Sequence, residues 1–167
     1  MTLLELIVAI IMLSVILAIG VPAFTSVIQD SRVESESARL IANLNIARLE
    51  ASSRARVITM ARNSVVARDW SGGWGTYTDA DAGGNTTRAL GNTLLRDTEP
   101  AAAGVNITTS ASGNTWISFQ ANGMQNEGGD TVVIAICDER GKQSGRDLMI
   151  NRAGRVSINS PSKDCMP

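Results

Sequence analysis

The chain contains no histidine and only two cysteines, and these two shortages already narrow its chemistry. Without imidazole it lacks the side chain that most often serves as a general base near neutral pH, and it lacks a common metal ligand. Serine and aspartate are plentiful, but no recognisable nucleophile setting surrounds them and no histidine completes a triad. No Gly-Lys-Ser or Gly-Lys-Thr follows the glycine-rich stretches, so there is no P-loop. Net charge is also nearly absent: 15 lysines and arginines face 16 aspartates and glutamates, leaving −1. That balance argues against nonspecific capture of nucleic acid over the whole surface, while leaving room for a local basic patch. Catalysis is not expected, and no cofactor is implied.

What is abundant is apolar sequence at the start. From Leu6 to Phe24 there are nineteen residues with no charge and Ser14 as the single polar side chain. As a helix this run spans roughly 30 Å, about the hydrocarbon thickness of a bilayer. Glu5 heads the run. An acid at the edge of an apolar helix is costly unless it is paired or reaches an interface, although negative charge is also favoured at a helix N-terminus. Pro22 removes a backbone donor and crowds the preceding turn, so the helix is expected to kink or loosen there, with Gly20 lowering the cost.

From Thr25 to about Arg56 the pattern becomes amphipathic. Leu40, Leu44, Ala47 and Ala51 fall on one stripe, and Asp30, Arg32, Glu34, Glu36, Arg39, Arg48 and Glu50 supply charge around it. The outer charges are read as solvated surface, with filament contacts as the sharper alternative. If some fifty residues stay helical, the rod is roughly 75 Å long. Beyond Arg56 the period changes to two. Val57–Met60 and Val65–Ala67 read as short strands, and Asp69 to Tyr77 combines turn glycines with aromatics suited to a pleated surface. Further strands are expected at Val105–Thr109, Thr115–Phe119, Thr131–Cys137, Asp147–Asn151 and Val156–Asn159, punctuated by Gly113, Gly123, Gly128-Gly129, Gly141 and Gly154. The fold class is therefore α+β: a long N-terminal helix packed on antiparallel β-structure. Three segments follow: 1–24 for the membrane or a filament core, 25–56 as the amphipathic continuation, and 57–167 as a β-rich head.

Cys137 and Cys165 are an even pair in a chain that follows an apolar anchor, which suggests export to an oxidising space. A bond between them would be worth on the order of 3 kcal/mol in the chain-entropy model. Two unpaired core thiols are the alternative. Asp79 and Asp81, at alternate positions before Gly83, imitate the start of a calcium loop, but the twelfth position is Leu90, so a polar turn is the better reading. Lys142, Arg146, Arg152 and Arg155 fall on adjoining turns and strands and would offer cations to phosphate, offset by Asp138, Glu139, Asp147 and Asp164.

Thr2-Leu3-Leu4-Glu5-Leu6, the unbroken apolar helix and Gly20-Val21-Pro22-Ala23-Phe24 together resemble the mature N-terminus of a type IV pilin or a type II secretion pseudopilin. In that family a prepilin peptidase cuts after a glycine, the new first residue is N-methylated, and the acid at the fifth position pairs with the terminal amine of a neighbouring subunit. The resemblance implies that Met1 is the methylated residue, that Glu5 is that acid, and that the numbering is that of the mature chain. It also implies that the segment around Gly20 and Pro22 is partly unwound in filaments. Trp70 to Trp74, Tyr77, Asp79, Leu94-Leu95-Arg96, Ile117-Ser118-Phe119 with Gly123, Val133 to Cys137, and Arg146 to Ile150 with Gly154-Arg155 resemble the H-type, GspH-like pseudopilin branch. That branch includes minor pilins of the FimU and FimT kind.

The terminal disulfide pattern is closer to minor pilins than to secretion pseudopilins. The resemblance thus implies a structural minor pilin of a type IV pilus (fimbrium) that helps to start assembly or links tip subunits to the major pilin. Its partners would be other minor pilins and the major pilin, the inner membrane before assembly, and prepilin peptidase during maturation. Retention of Glu5 argues against the extreme tip, where the family's capping subunit can lack the acid. A type II secretion pseudopilin of the H type is one alternative; a DNA-binding minor pilin of natural transformation is another. FimT-like pilins carry glycine-arginine followed two residues later by a second arginine. Here Gly154-Arg155-Val156-Ser157 has serine in that place, so DNA is a possible partner but not a favoured one.

Removing residues up to Val27 deletes the anchor and spares the amphipathic stripe. The shortened chain is expected to be a soluble, folded monomer with mixed helix and sheet, read by sedimentation and far-ultraviolet circular dichroism. Aggregation or a purely helical spectrum contradicts the boundary.

Overall fold

The computed structural model describes residues 2–78, 92–109, 116–126 and 131–165, with the backbone alone at 21–23. Met1, Asp79, Asp81, Thr115, Gly113 and Gly128-Gly129 therefore lie outside the described residues. One helix, α1, runs Leu3–Arg54. Among the described residues eight strands follow: β1 Ile58–Arg62, β2 Trp74–Thr78, β3 Leu94–Thr98, β4 Val105–Thr109, β5 Trp116–Phe119, β6 Val132–Asp138, β7 Arg146–Ile150 and β8 Val156–Asn159. Contacts divide the chain into two compact units, Met1–Arg32 and Val33–Pro167.

The first unit is helix alone. Thr2 caps it: the Glu5 amide donates to Thr2 O at 3.1 Å and to Thr2 Oγ1 at 3.3 Å. A threonine three residues ahead of a glutamate is the spacing of a capping box, so the sequence that starts the helix also fixes where Glu5 stands. Ser14 satisfies its hydroxyl internally, donating to Ile11 O at 2.7 Å, which removes the one polar demand in the apolar run. The helix continues through Gly20 and Pro22.

In the second unit, Val33, Leu40, Leu44, Ala47 and Ala51 of α1 are buried in one cluster with residues from both sheets. Leu40 and Leu44 have no exposure, and full burial of a leucine is worth about 1.5–3 kcal/mol. One sheet has the order β3-β2-β1-β5 and the other β4-β6-β7-β8, each with four strands. Every neighbouring pair is antiparallel. The sheets are stitched where Trp70 N donates to Ile107 O at 2.8 Å and Thr109 N donates to Arg68 O at 3.0 Å.

Two expectations about strands need correction. Val65-Val66-Ala67 is a bend rather than a strand, and Val65 is 97% exposed. The loop makes its own hydrogen bonds: Arg62 Nη1 donates to Ser64 O and Val66 O, Val66 N donates to Ser64 Oγ, and the Ser64 hydroxyl donates to Asp69 Oδ2. Local side-chain bonds of this kind compete with a ladder. The Leu94–Thr98 segment, conversely, is a strand outside those expected from the sequence pattern. It is an edge strand with a register shift against Thr76 and Tyr77, and its burial does not alternate cleanly.

Asp69 closes that loop, accepting from Ser64 Oγ at 2.7 Å and from Ser71 N at 2.9 Å. Burial pushes its carboxyl up, but the Ser64 and Ser71 hydrogen bonds and the Arg62 charge together outweigh that and hold it below its ordinary 3.8. With the lower pKa in the folded state, its contribution is complete above the ordinary carboxylate value and is lost as pH falls through the folded one.

At the far end of the helix, Gly154 takes φ +71°, and a Cβ there would stand 2.3 Å from Gly123 O. Gly104 has φ +85° with nothing within 4 Å. Gly104→Ala is therefore expected to cost about 1–2 kcal/mol from backbone strain alone. Gly154→Ala, which adds a clash with backbone, should cost about 2–4 kcal/mol in urea unfolding of the head. Equal losses contradict the close approach.

Candidate functional site

The N-terminal segment presents an apolar helical surface that is exposed among the described residues. Leu3 is 78% exposed, Ile16 66% and Ile19 70%, and Glu5 is exposed at the head of the run. The helix is long and apolar enough to cross a membrane by length and composition. Chemically such a surface does one of two things: it partitions into hydrocarbon or it packs among similar helices, because in water it is a liability. Gly20 has open space around its α-carbon, and the side chain of Pro22 lies outside the described residues.

Within the second unit, three charges that the sequence pattern placed on a solvated face instead hold α1 to the head. Glu36 is 6% exposed; its Oε1 accepts from Ala102 N at 3.0 Å and its Oε2 pairs with Arg39 at 2.7 Å. Arg39 in turn donates to Pro100 O at 3.4 Å and lies over the Trp74 ring, 5.1 Å from its centroid. Trp74 and Trp70 are fully buried, 6.4 Å apart and tilted by 49°. A desolvated acid, a guanidinium on an indole face and a second indole form one connected contact, the kind in which removing one member strands the others. Arg48 makes a third attachment, donating from Nε to Gly123 O at 2.9 Å. Glu34 and Arg146 pair at 2.8 Å on the surface, where such a pair contributes little.

The C-terminal tail is fastened twice. Cys137 and Cys165 form a disulfide with Cα atoms 5.7 Å apart. Beside it, Asp147 on β7 is 3% exposed and accepts from the Ser162 hydroxyl and, at 2.8 Å, from Lys163 N. Ser162 Oγ also accepts from Cys165 N at 3.0 Å. Asp147 was read only as a charge offsetting nearby cations, and no spacing marks it as the tail's anchor.

The four cations expected to form a strip do not share one place. Lys142 lies in the short 3-10 turn Gly141–Gln143 before β7, and Arg152 and Arg155 lie in the turn after it. A five-residue strand separates these ends by roughly 17 Å. Arg146, between them, is engaged with Glu34. What the fold does bring together is Arg48 with Gly154, on the turn that carries Arg152 and Arg155.

One long helix on antiparallel sheets, apolar and bare at its start, defines a pilin-like protein. The model of the family described as type II transport protein GspH matches residues 36–154, and the chain belongs to that family. Among solved structures, it is similar to the type IV minor pilin FimU of Pseudomonas aeruginosa strain PAO1 in two crystal forms. The P21 form is 27% identical with a TM-score of 0.62, covering 83% of this chain and 95% of that one. The P65 form is 25% identical with a TM-score of 0.59, covering 80% and 96%. No curated protein matches at a significant level. The family and the fold are those of structural pilins, which interact with other pilins in a pilus or pseudopilus.

The disulfide closes a separation of 28 residues, for which the chain-entropy model gives about 3.5 kcal/mol. Intact mass without reductant should be two hydrogens below the reduced value, and reduction should lower the melting temperature of the head. Alkylation of thiols in the native protein would contradict the bond.

Proposed function

We propose that the chain is a structural minor pilin of a type IV pilus, built into the filament through its N-terminal helix and helping to start assembly or to link tip subunits to the major pilin. The observation that carries this reading is the bare apolar helix headed by Glu5, on a head similar over most of its length to a type IV minor pilin. In this reading residues 1–24 sit first in the inner membrane and then in the filament core, 25–56 continue the helix, and 57–167 form the head. The head is periplasmic before assembly and part of the extracellular pilus after it. Prepilin peptidase exposes Met1 for N-methylation. Glu5 meets the positive terminal amine of a neighbouring subunit, and Gly20 and Pro22 give the joint that lets one helix serve both settings.

The physical logic is one of desolvation. Among packed apolar helices an unpaired carboxylate is penalised by several kcal/mol, and a neighbour's amine offsets that while fixing the axial register. Capping by Thr2 supports this assignment, since it fixes the position of Glu5 within the first turn. A second reading, an H-type pseudopilin of type II secretion, is favoured by the description of the matching family model itself.

Glu5→Ala should leave the head folded and the helix inserted, because removing a charge eases membrane residence, yet lower the amount recovered in sheared pili on the order of tenfold relative to the membrane fraction. Glu5→Gln should behave like Glu5→Ala. Incorporation of both at the wild-type level means that the carboxylate carries no registration. Recovery of the wild-type chain with secretion pseudopili and not with pili selects the second reading.

A further inference from the structure

Arg48 stands where the helix meets two loops of the head. Its Nε is held by Gly123 O at 2.9 Å and lies 3.2 Å from where a Gly154 Cβ would be. Its two terminal nitrogens have no partner among the described residues. Beside them opens a groove of about 330 Å3 lined by Asn45, Arg48, Leu49, Ser52, Asn122 and Gly123, with no carboxylate among these residues. The Asn122 side-chain oxygen is taken by Met124 N at 2.9 Å, which leaves its amide nitrogen as a donor. The groove is thus rich in donors and poor in negative charge. Arg152 and Arg155 are exposed on the turn that flanks Gly154. Within the groove lining, Leu49 is apolar and 68% exposed.

We propose that this groove docks an acidic peptide segment of a neighbouring pilin subunit. A carboxylate is seated against the free edge of the Arg48 guanidinium, and an adjoining apolar side chain rests on Leu49. The inference rests on the pilus-subunit reading for the identity of the partner. Charge complementarity selects an anion, and a planar guanidinium with two unused donors matches a carboxylate in bidentate fashion. The apolar rim selects a peptide over a nucleic acid. Single strands are held by exposed rings on which bases stack, whereas Trp70, Trp74 and Tyr77 are buried and the part-buried Trp116 is not among the groove's lining residues. A duplex calls for cations spread along a backbone, whereas Lys142 lies at the other end of β7.

The test is a titration of the nitrogen-15-labelled full chain in detergent micelles with three probes: acetyl-Leu-Glu-Asp-Leu-amide, its neutral counterpart acetyl-Leu-Gln-Asn-Leu-amide, and a short single-stranded DNA. The acidic peptide should shift the amides of Leu49, Asn122 and Gly123, and the neutral one should bind at least about fivefold more weakly. Arg48→Gln should abolish the preference for the acidic peptide. Because Arg48 also holds Gly123, Leu49→Ser is the companion variant: it leaves that clasp intact and should weaken the acidic peptide about threefold without changing the melting temperature. Equal binding of the two peptides, shifts confined to other parts of the head, or DNA binding in the groove where the acidic peptide does not, each overturns the proposal. The titration reads the groove whether or not the chain enters pili, so its failure and that of the Glu5 experiment are separable.

Discussion

Leu40, Leu44, Ala47 and Ala51 are the contact on which the head depends, because they are where a helix too polar to be buried all round gives up one face to two sheets. The two leucines supply apolar area and the two alanines are small enough to let the helix lie close to the strands. Neither sheet could stand alone. Each has four strands with one apolar side, and the helix closes the shared core against which Trp70, Ile107, Phe119, Ile134 and Leu148 are all fully buried.

That arrangement gives one helix two unlike surfaces along its length. In residues 3–20 the apolar side chains are exposed all round, and from Val33 on the apolar side chains are confined mainly to one stripe. A surface of the first kind has to be covered by lipid or by other helices, whereas one of the second kind is complete within its own chain. The difference is written in composition rather than in conformation, since the helical assignment does not break between them. Polar groups add to the stripe's hold on the head. Glu36 and Arg39 bind the Pro100–Ala102 segment, and Arg48 binds the Gly123 loop about three turns further on, so the helix is gripped near both ends of the buried face.

How much of this was legible in the sequence follows from what kind of signal each feature leaves. The stripe at Leu40, Leu44, Ala47 and Ala51 is periodic and local, and all four residues are buried as their spacing requires. Strands with clean alternation, such as Val105–Thr109 and Val156–Asn159, stand where they were expected. Val65-Val66 is β-branched and still not a strand, because Arg62 and Ser64 supply hydrogen bonds that no propensity scale counts. The edge strand at Leu94 has two adjacent leucines instead of alternation, so its period was hidden. Glu36, Arg39 and Asp147 could not be told from surface charges, because what buries them comes from residues far along the chain: Ala102, Trp74 and Ser162.

The same distinction explains why the proposed assembly residues and the head residues carry different kinds of information. Glu5 is readable from sequence because an acid beside an uncharged apolar run is improbable on energetic grounds alone, whatever the head looks like. The Arg48 groove is readable only from the fold, because it needs a helix residue, the Gly123 turn and the Gly154 turn to meet, and the helix residue is 75 residues or more from either turn in sequence. Gly154-Arg155 shows how the two levels join. In sequence it is a fragment of a family pattern; in the fold its glycine is the one residue that admits Gly123 O so closely, and that approach sets the turn carrying Arg155 against Arg48. A motif that reads as a basic signature is thus first a packing requirement, and the charge it presents at the surface is a consequence of the backbone approach that only glycine allows.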